Sequence, residues 1–209
     1  MPEPTTIAIA GGGAMGFLVR FARRRYRDFK NCFDVLMGTL GLLLSAPIIA
    51  FLGILIKLTS PGPVFYTQER VGKDGKPFRL IKLRTMREDA EARTGPVWAG
   101  ADDPRVTPIG HIMRGLHLDE LPQFLNVVMG HMSIVGPRPE RPFFVQRLRE
   151  VIPNYDSRLT IKPGITGLAQ VRYHYDQSVE DVRRKLRYDL LYLDKMCWFL
   201  DLRILWLTV

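Results

Sequence analysis

Asp119 and Glu120 are adjacent carboxylates inside Leu118-Asp119-Glu120-Leu121-Pro122-Gln123. Pro122 suits a first helical position, so a helix starting there would put both acids at its positive end. That placement favours ionised carboxylates and draws anions or a metal-bound phosphate. Neighbouring side chains project in different directions, so one acid can attack phosphorus while the other binds Mg2+ or handles a proton. Two carboxylates with a diphosphate also form the hard-oxygen set that Mg2+ prefers. The same pair would serve equally well as a plain helix cap. Downstream, Arg138 sits between Pro137 and Pro139, which confine its backbone. A guanidinium on so stiff a support can grip phosphate bidentately at low ordering cost. Lys82, Arg84, Arg105, Arg114 and Arg141 are candidates for the same pocket, although most arginines of a basic chain are solvated or structurally paired. His111, His117, His131 and His174 show no ligand spacing.

These residues need elements to hold them. Val64–Gln68 and Phe78–Leu83 have strand-like composition around a Gly72-Lys73-Asp74-Gly75-Lys76 turn, which predicts a hairpin presenting Lys82, Arg84 and Thr85 at its end. Arg87–Ala92 reads as a short helix and Thr94–Pro108 as loop. Ile109–Leu116, a segment from about Pro122, Arg141–Val151 and Val179–Lys195 are helical by pattern. Trp198–Leu207 is too short and too charged to span a bilayer. It fits an interfacial helix with Trp198 and Trp206 at headgroup depth, or a helix packed on the core.

The chain has 209 residues, enough for one compact domain plus an anchor. Thirty basic against 21 acidic residues leave +9, a balance that favours an anionic partner. Cys32 and Cys197 each lie in apolar context, as free thiols rather than a disulfide or zinc framework. No secretory signal is expected, because the basic cluster follows the N-terminal apolar stretch. Ile7–Ala10 followed by Gly11, Gly13 and Gly16 mimics a dinucleotide fingerprint, but neither a second strand nor the acidic residue follows. Residues 1–29 therefore read as a basic tail of unassigned role.

Val35–Ile56 is 22 residues without a charge, the length of a membrane span. Pro47 lacks an N–H and its ring clashes with the Leu43 carbonyl, so a break is expected there, with Ser45 able to bond back to the preceding turn. Both flanks are basic, with Arg20 to Lys30 before and Lys57, Arg70, Lys73 and Lys76 after. The positive-inside tendency then favours a re-entrant hairpin over a straight span. The expected architecture is α+β. A re-entrant membrane helix at 30–59, broken at Pro47, leads into a small, mainly helical cytosolic domain at 60–209 with interfacial amphipathic helices.

Several ordered motifs together resemble the bacterial monotopic phosphoglycosyl transferases, or bacterial sugar transferases. They run from about Lys30 to the C-terminus: Phe33-Asp34, Ser60-Pro61-Gly62-Pro63 with Gln68 and Arg70, Lys82-Leu83-Arg84-Thr85-Met86, Asp103-Pro104-Arg105-Val106-Thr107, Leu118–Gln123, Gly136-Pro137-Arg138-Pro139 and Lys162–Gly167. The resemblance implies transfer of a sugar phosphate from a UDP-sugar to a polyprenyl (undecaprenyl) phosphate at the cytoplasmic face of the bacterial inner membrane. It opens exopolysaccharide, capsule, O-antigen or glycoconjugate assembly. By position it makes Asp119 the nucleophile of a covalent phosphosugar intermediate and Glu120 its partner at a Mg2+ and phosphate site. Arg114 falls near the lipid phosphate, and Arg138 in the Pro-Arg-Pro motif. The chain departs from the family at Ser45-Ala46-Pro47, where Ser usually precedes Pro directly, and at Arg172-Tyr173-His174-Tyr175. Two other classes compete: a membrane-tethered binder of anionic ligands, and a catalytically silent scaffold. Nucleic acid is disfavoured, because aromatics do not interleave with a basic stripe. A homo-oligomer is left open.

Overall fold

The computed structural model describes residues 14–88, 90, 103–173 and 178–208. It is a mixed helix and sheet structure led by one long apolar helix, α1 (Ala14–Thr59). Next come β1 (Phe65–Val71), β2 (Pro77–Leu83), α2 (Pro108–Gly115), α3 (Gln123–Val128), β3 (Ser133–Val135) and α4 (Pro142–Val151). The chain closes with β4 (Gly164–Thr166), α5 (Leu168–Arg172), α6 (Val179–Lys195) and α7 (Trp198–Thr208). Gly11 and Gly13 of the glycine pattern lie outside the described residues, as do most of 89–102, while Gly16 lies in α1.

β1 and β2 form the expected antiparallel hairpin, with Tyr66 opposite Lys82. Alternation in β2 buries Phe78 and Leu80 and exposes Arg79, as a half-buried strand requires. The outer edge of β2 is finished by Asn126, which is fully buried: its Oδ1 accepts from Ile81 N at 3.0 Å and its Nδ2 donates to the Arg79 carbonyl at 2.8 Å. One side chain thereby satisfies two strand groups and fixes Lys82 next door. Asn126→Leu should cost about 3 kcal/mol, since both backbone groups would be left unpaired. Chemical denaturation of detergent-solubilised protein checks this.

α1 is longer than the sequence predicts. Residues 14–29 are helical and continuous with the apolar run. Helix also continues through Pro47, where a break is expected. Ser45 bonds back to the Leu42 carbonyl at 3.3 Å, as anticipated. This is the kind of local compensation that lets apolar helices keep a proline.

Both ends of the apolar run dock on the same domain. At the first end, Asp34 Oδ1 accepts from Ile134 N at 3.1 Å, and Gly38 and Gly41 pass against Val127 and Phe124. A Cβ on Gly41 would lie 2.8 Å from the Phe124 ring, so only glycine permits that approach. At the other end Leu52 and Ile56 pack with Leu83 and Met113. Asp34 and Ile56 are about 33 Å apart along a helix, so the domain lies alongside the run. Leu36, Leu44, Ile48, Phe51, Ile54 and Leu58 remain exposed on its other faces.

α7 closes the foot of α1. Asp201 accepts from Lys30, from Tyr26 at 2.7 Å and from Tyr192 at 2.7 Å. Trp198 stands edge-on to Phe33, 4.7 Å between centroids, and so packs partly on protein. Phe199 and Trp206 are exposed. The short parallel pair β3–β4 went unpredicted. It brings Gly136 against Gly164, where a Cβ on Gly164 would come within 2.1 Å of Gly136 N.

Candidate active site

The two acids do not begin α3. They share a separate 3-10 turn, Leu118–Glu120, entered from His117 in the left-handed region at φ 54°. With three residues per turn, successive side chains diverge by about 120°. That divergence separates their surroundings. Glu120 Oε1 accepts from Lys82 Nζ at 2.6 Å and Arg138 Nη2 at 2.8 Å, and Oε2 lies 3.5 Å from Arg138 Nη1. Asp119 is buried and 3.8 Å from Lys82 Nζ. Among the described residues nothing hydrogen-bonds its carboxylate.

Their electrostatics diverge as well. Burial pushes the Asp119 carboxyl up, and the neighbouring Glu120 charge adds to the rise, against Lys82, Arg114 and Arg138. Burial also opposes ionisation of Glu120, but Arg138 and Lys82 outweigh it and hold the carboxyl far below the usual range. Burial pulls the Lys82 ammonium down, opposed by Glu120. Glu120 is thus an anion gripping two cations, while among the described residues the Asp119 carboxyl makes only the longer ion pair with Lys82.

The predicted cations separate into two groups. Lys82, Arg138 and Arg114 converge on the acids, with Arg114 oriented through Nε to Thr85 Oγ1 at 2.9 Å. Thr85 also accepts from Thr107 N through its carbonyl, and Thr107 caps α2, so Arg114 is placed by a buried polar corner. Arg84 serves elsewhere: its guanidinium bonds the Ser60 and Pro61 carbonyls and Ser60 Oγ, clasping the end of α1. Arg105 is taken up by Asp103 through Nε at 2.8 Å and a second contact from Nη2. That pairing pulls the Asp103 carboxyl down to about 2. Arg141 precedes α4 and lies near Arg70 rather than the acids. Pro137 and Pro139 are buried and shape the loop around Arg138. Ser45 and Pro47 belong to α1, away from the acids' hydrogen bonds.

The sequence reading does not single out Asn126, Arg158 or Asp189. Asp189 carried a legible signal, for it falls on the apolar stripe of α6 with Val182 and Leu186. A carboxylate there needs a buried cation. Arg158 supplies it at 2.9 Å.

A family profile described as bacterial sugar transferase matches residues 25–209. A Bacillus subtilis (strain 168) protein is 49% identical over 152 residues, 73% of this chain and 80% of its own length. It is named, provisionally, an undecaprenyl-phosphate N-acetylgalactosaminyl 1-phosphate transferase. An Aeromonas hydrophila UDP-N-acetylgalactosamine-undecaprenyl-phosphate N-acetylgalactosaminephosphotransferase is 40% identical over 88% of this chain. The Escherichia coli (strain K12) UDP-glucose:undecaprenyl-phosphate glucose-1-phosphate transferase is also 40% identical over 88%. The chain spans only 43% and 40% of those last two relatives. A profile match over residues 25–209, with relatives 40–49% identical, places the chain in the bacterial sugar transferase family.

Proposed function

We propose that this enzyme moves a sugar 1-phosphate from a UDP-sugar to undecaprenyl phosphate at the cytoplasmic face of the bacterial inner membrane. It would be the first membrane step of a surface-polysaccharide or glycoconjugate pathway. The observation that carries the reading is the asymmetry of the acids: Glu120 is locked between Lys82 and Arg138, while among the described residues the Asp119 carboxylate has only the 3.8 Å ion pair with Lys82. An Asp119 oxygen attacks the phosphorus bearing the sugar, the bond to the bridging oxygen breaks, and UMP leaves with that electron pair. The acceptor's phosphate oxygen then attacks the same phosphorus and frees the Asp119 carboxylate. Lys82 and Arg138 neutralise charge gathering on the transferred phosphoryl group, and Arg114 is placed to meet the acceptor phosphate.

Mg2+ fits this site as a partner of Asp119 and Glu120. Among the described residues no group of three or more His, Cys, Asp or Glu side chains could hold a metal by itself. Mg2+ commonly takes one or two carboxylates and completes its shell with substrate phosphate and water. When bound it would screen the diphosphate and stabilise the leaving UMP.

Docking of both ends of the apolar run on one domain supports a re-entrant arrangement, with the basic flanks on one membrane face. The outward Phe199 and Trp206 of α7 and Ile112 and Leu116 of α2 suit an interfacial position.

The test is UMP release with Mg2+ and a panel of UDP-sugars, with and without undecaprenyl phosphate. One donor should give a stoichiometric UMP burst without acceptor and turnover with it. Turnover without any burst would remove the covalent intermediate. No release with any donor would favour a silent scaffold.

A further inference from the structure

Arg138 stands on a loop that cannot hold itself. Two prolines remove the N–H groups of residues 137 and 139. The Arg138 side chain is 37% exposed, so packing does little to fix it. Its backbone must be held from outside, through carbonyls. Four successive carbonyls are each met by a donor. Gly164 N reaches Pro137 at 2.9 Å, Arg158 Nη2 reaches Arg138 at 2.8 Å, Arg70 Nη1 reaches Pro139 at 2.9 Å, and Val71 N reaches Glu140 at 2.9 Å. Two of these donors are guanidiniums arriving from different elements, and each is anchored in turn. Arg158 pairs with Asp189 at 2.9 Å and bonds Tyr155 Oη at 2.9 Å. Arg70 bonds Gln68 Oε1 at 2.6 Å and lies 3.7 Å from Glu140.

We propose that Arg70 and Arg158 are positioning residues, a pair of carbonyl clamps on either side of the loop that hold the Arg138 guanidinium on Glu120. The proposal rests on the transferase reading for its kinetic consequence. A buried Arg–Asp pair is weak evidence for stability, since apolar residues of like volume often do as well. What apolar residues cannot do is donate to a loop carbonyl while holding a counter-ion. Five donors in a rigid fork allow arginine to do both. Motif residues Gln68 and Arg70 thereby gain a role, though neither touches the acids.

The test is a thermodynamic cycle on the full chain in detergent or nanodiscs. Arg158→Met with Asp189→Leu removes both buried charges together, which avoids stranding one of them. Arg70→Met forms an independent arm. Each is built with Arg138 present and with Arg138→Ala, and kcat/KM for the UDP-sugar is measured by UMP release. A clamp acting through Arg138 should cost about 100-fold when Arg138 is present. It should cost no more than about 3-fold when Arg138 is absent, because the effects would not add. Equal losses in both backgrounds would show general structural damage and overturn the proposal, as would no loss in either.

A second readout needs no substrate: 15N relaxation of the Arg138 guanidinium, restrained in the wild type and loosened in both variants. Unchanged relaxation overturns the clamp. Loosened relaxation in a protein that never releases UMP would sustain the clamp while rejecting the transferase. If the Arg158/Asp189 variant does not fold, the Arg70→Met arm decides by the same criteria.

Discussion

Asp119→Asn is expected to cut UMP release by at least about 10^4-fold, the scale of losing a nucleophile, and to leave the protein more heat-stable at pH 7. The first effect follows from the role we propose for the carboxylate, forming the new bond to phosphorus. The second follows from the direction of its pKa. Burial raises the Asp119 carboxyl, so the ionised form is less favourable in the folded chain than in the unfolded one. Such a group gives stability fully present below its unfolded value, about 3.9, and lost as pH rises through the higher folded value. At neutral pH the ionised acid therefore costs stability, and the neutral amide relieves it. The melting temperature should rise by about 2–4 °C for each kcal/mol relieved. The same direction predicts that donor kcat/KM falls in acid at a higher pH than an ordinary aspartate would give. Thermal melts at pH 7 and a kcat/KM–pH profile check both. A variant that is inactive and also less stable would show that Asp119 is a structural acid.

That pairing of lost activity with gained stability separates the two readings the sequence left open. A helix-capping acid contributes stability, so its amide variant would melt earlier. Sequence could not decide between cap and nucleophile because both put a carboxylate before an apolar run. The structure decides the local part. The acids occupy a 3-10 turn of their own, and Glu120 faces Lys82 and Arg138. A turn of three residues has no periodicity to read, and its entry through left-handed His117 is unusual for a residue with a side chain.

Other parts were legible for definite reasons. The hairpin was marked by β-branched and aromatic runs flanking a glycine-bounded turn, and α6 by its apolar stripe and Ser178, whose side chain accepts from Asp181 N at 3.2 Å. Strands β3 and β4 were not legible. Each has three residues, too few for an alternation to register, and their pairing depends on the contact of Gly136 with Gly164. Among the cations, sequence named Lys82, Arg114 and Arg138 together with Arg84 and Arg105. Nothing in composition distinguishes a guanidinium facing the acids from one clasping Ser60 and Pro61. Partner choice is a tertiary property: Lys82 and Arg84 both stand at the C-terminal end of β2, yet one meets Glu120 and the other clasps the end of α1.

Glu120→Gln should show the opposite thermodynamic signature, a loss of about 3 kcal/mol at neutral pH, as expected when one member of a buried charge cluster is removed. Its charge offsets Lys82 and Arg138 at once through Oε1; an amide oxygen can still accept from both, but it brings no charge to balance two buried cations, and its N–H2 would face Arg138 where Oε2 stands. Its depressed pKa fixes the pH window. A carboxyl held below its unfolded value, about 4.3, gives stability present above that value and lost as pH falls toward the folded one. The wild type should therefore lose stability steeply below about pH 5, while Glu120→Gln, already lacking that contribution, should lose less over the same range. Plotting melting temperature against pH for both proteins should give curves that are widest apart near neutrality and converge in acid. Curves that stay parallel would mean that Glu120 is not the acid holding Lys82 and Arg138. The activity of this variant should fall with its stability even after correction for the folded fraction. Arg138 and Lys82 would no longer be drawn to Glu120, and if Lys82 closed its 3.8 Å gap to Asp119 the proposed nucleophile would be hydrogen-bonded and less reactive.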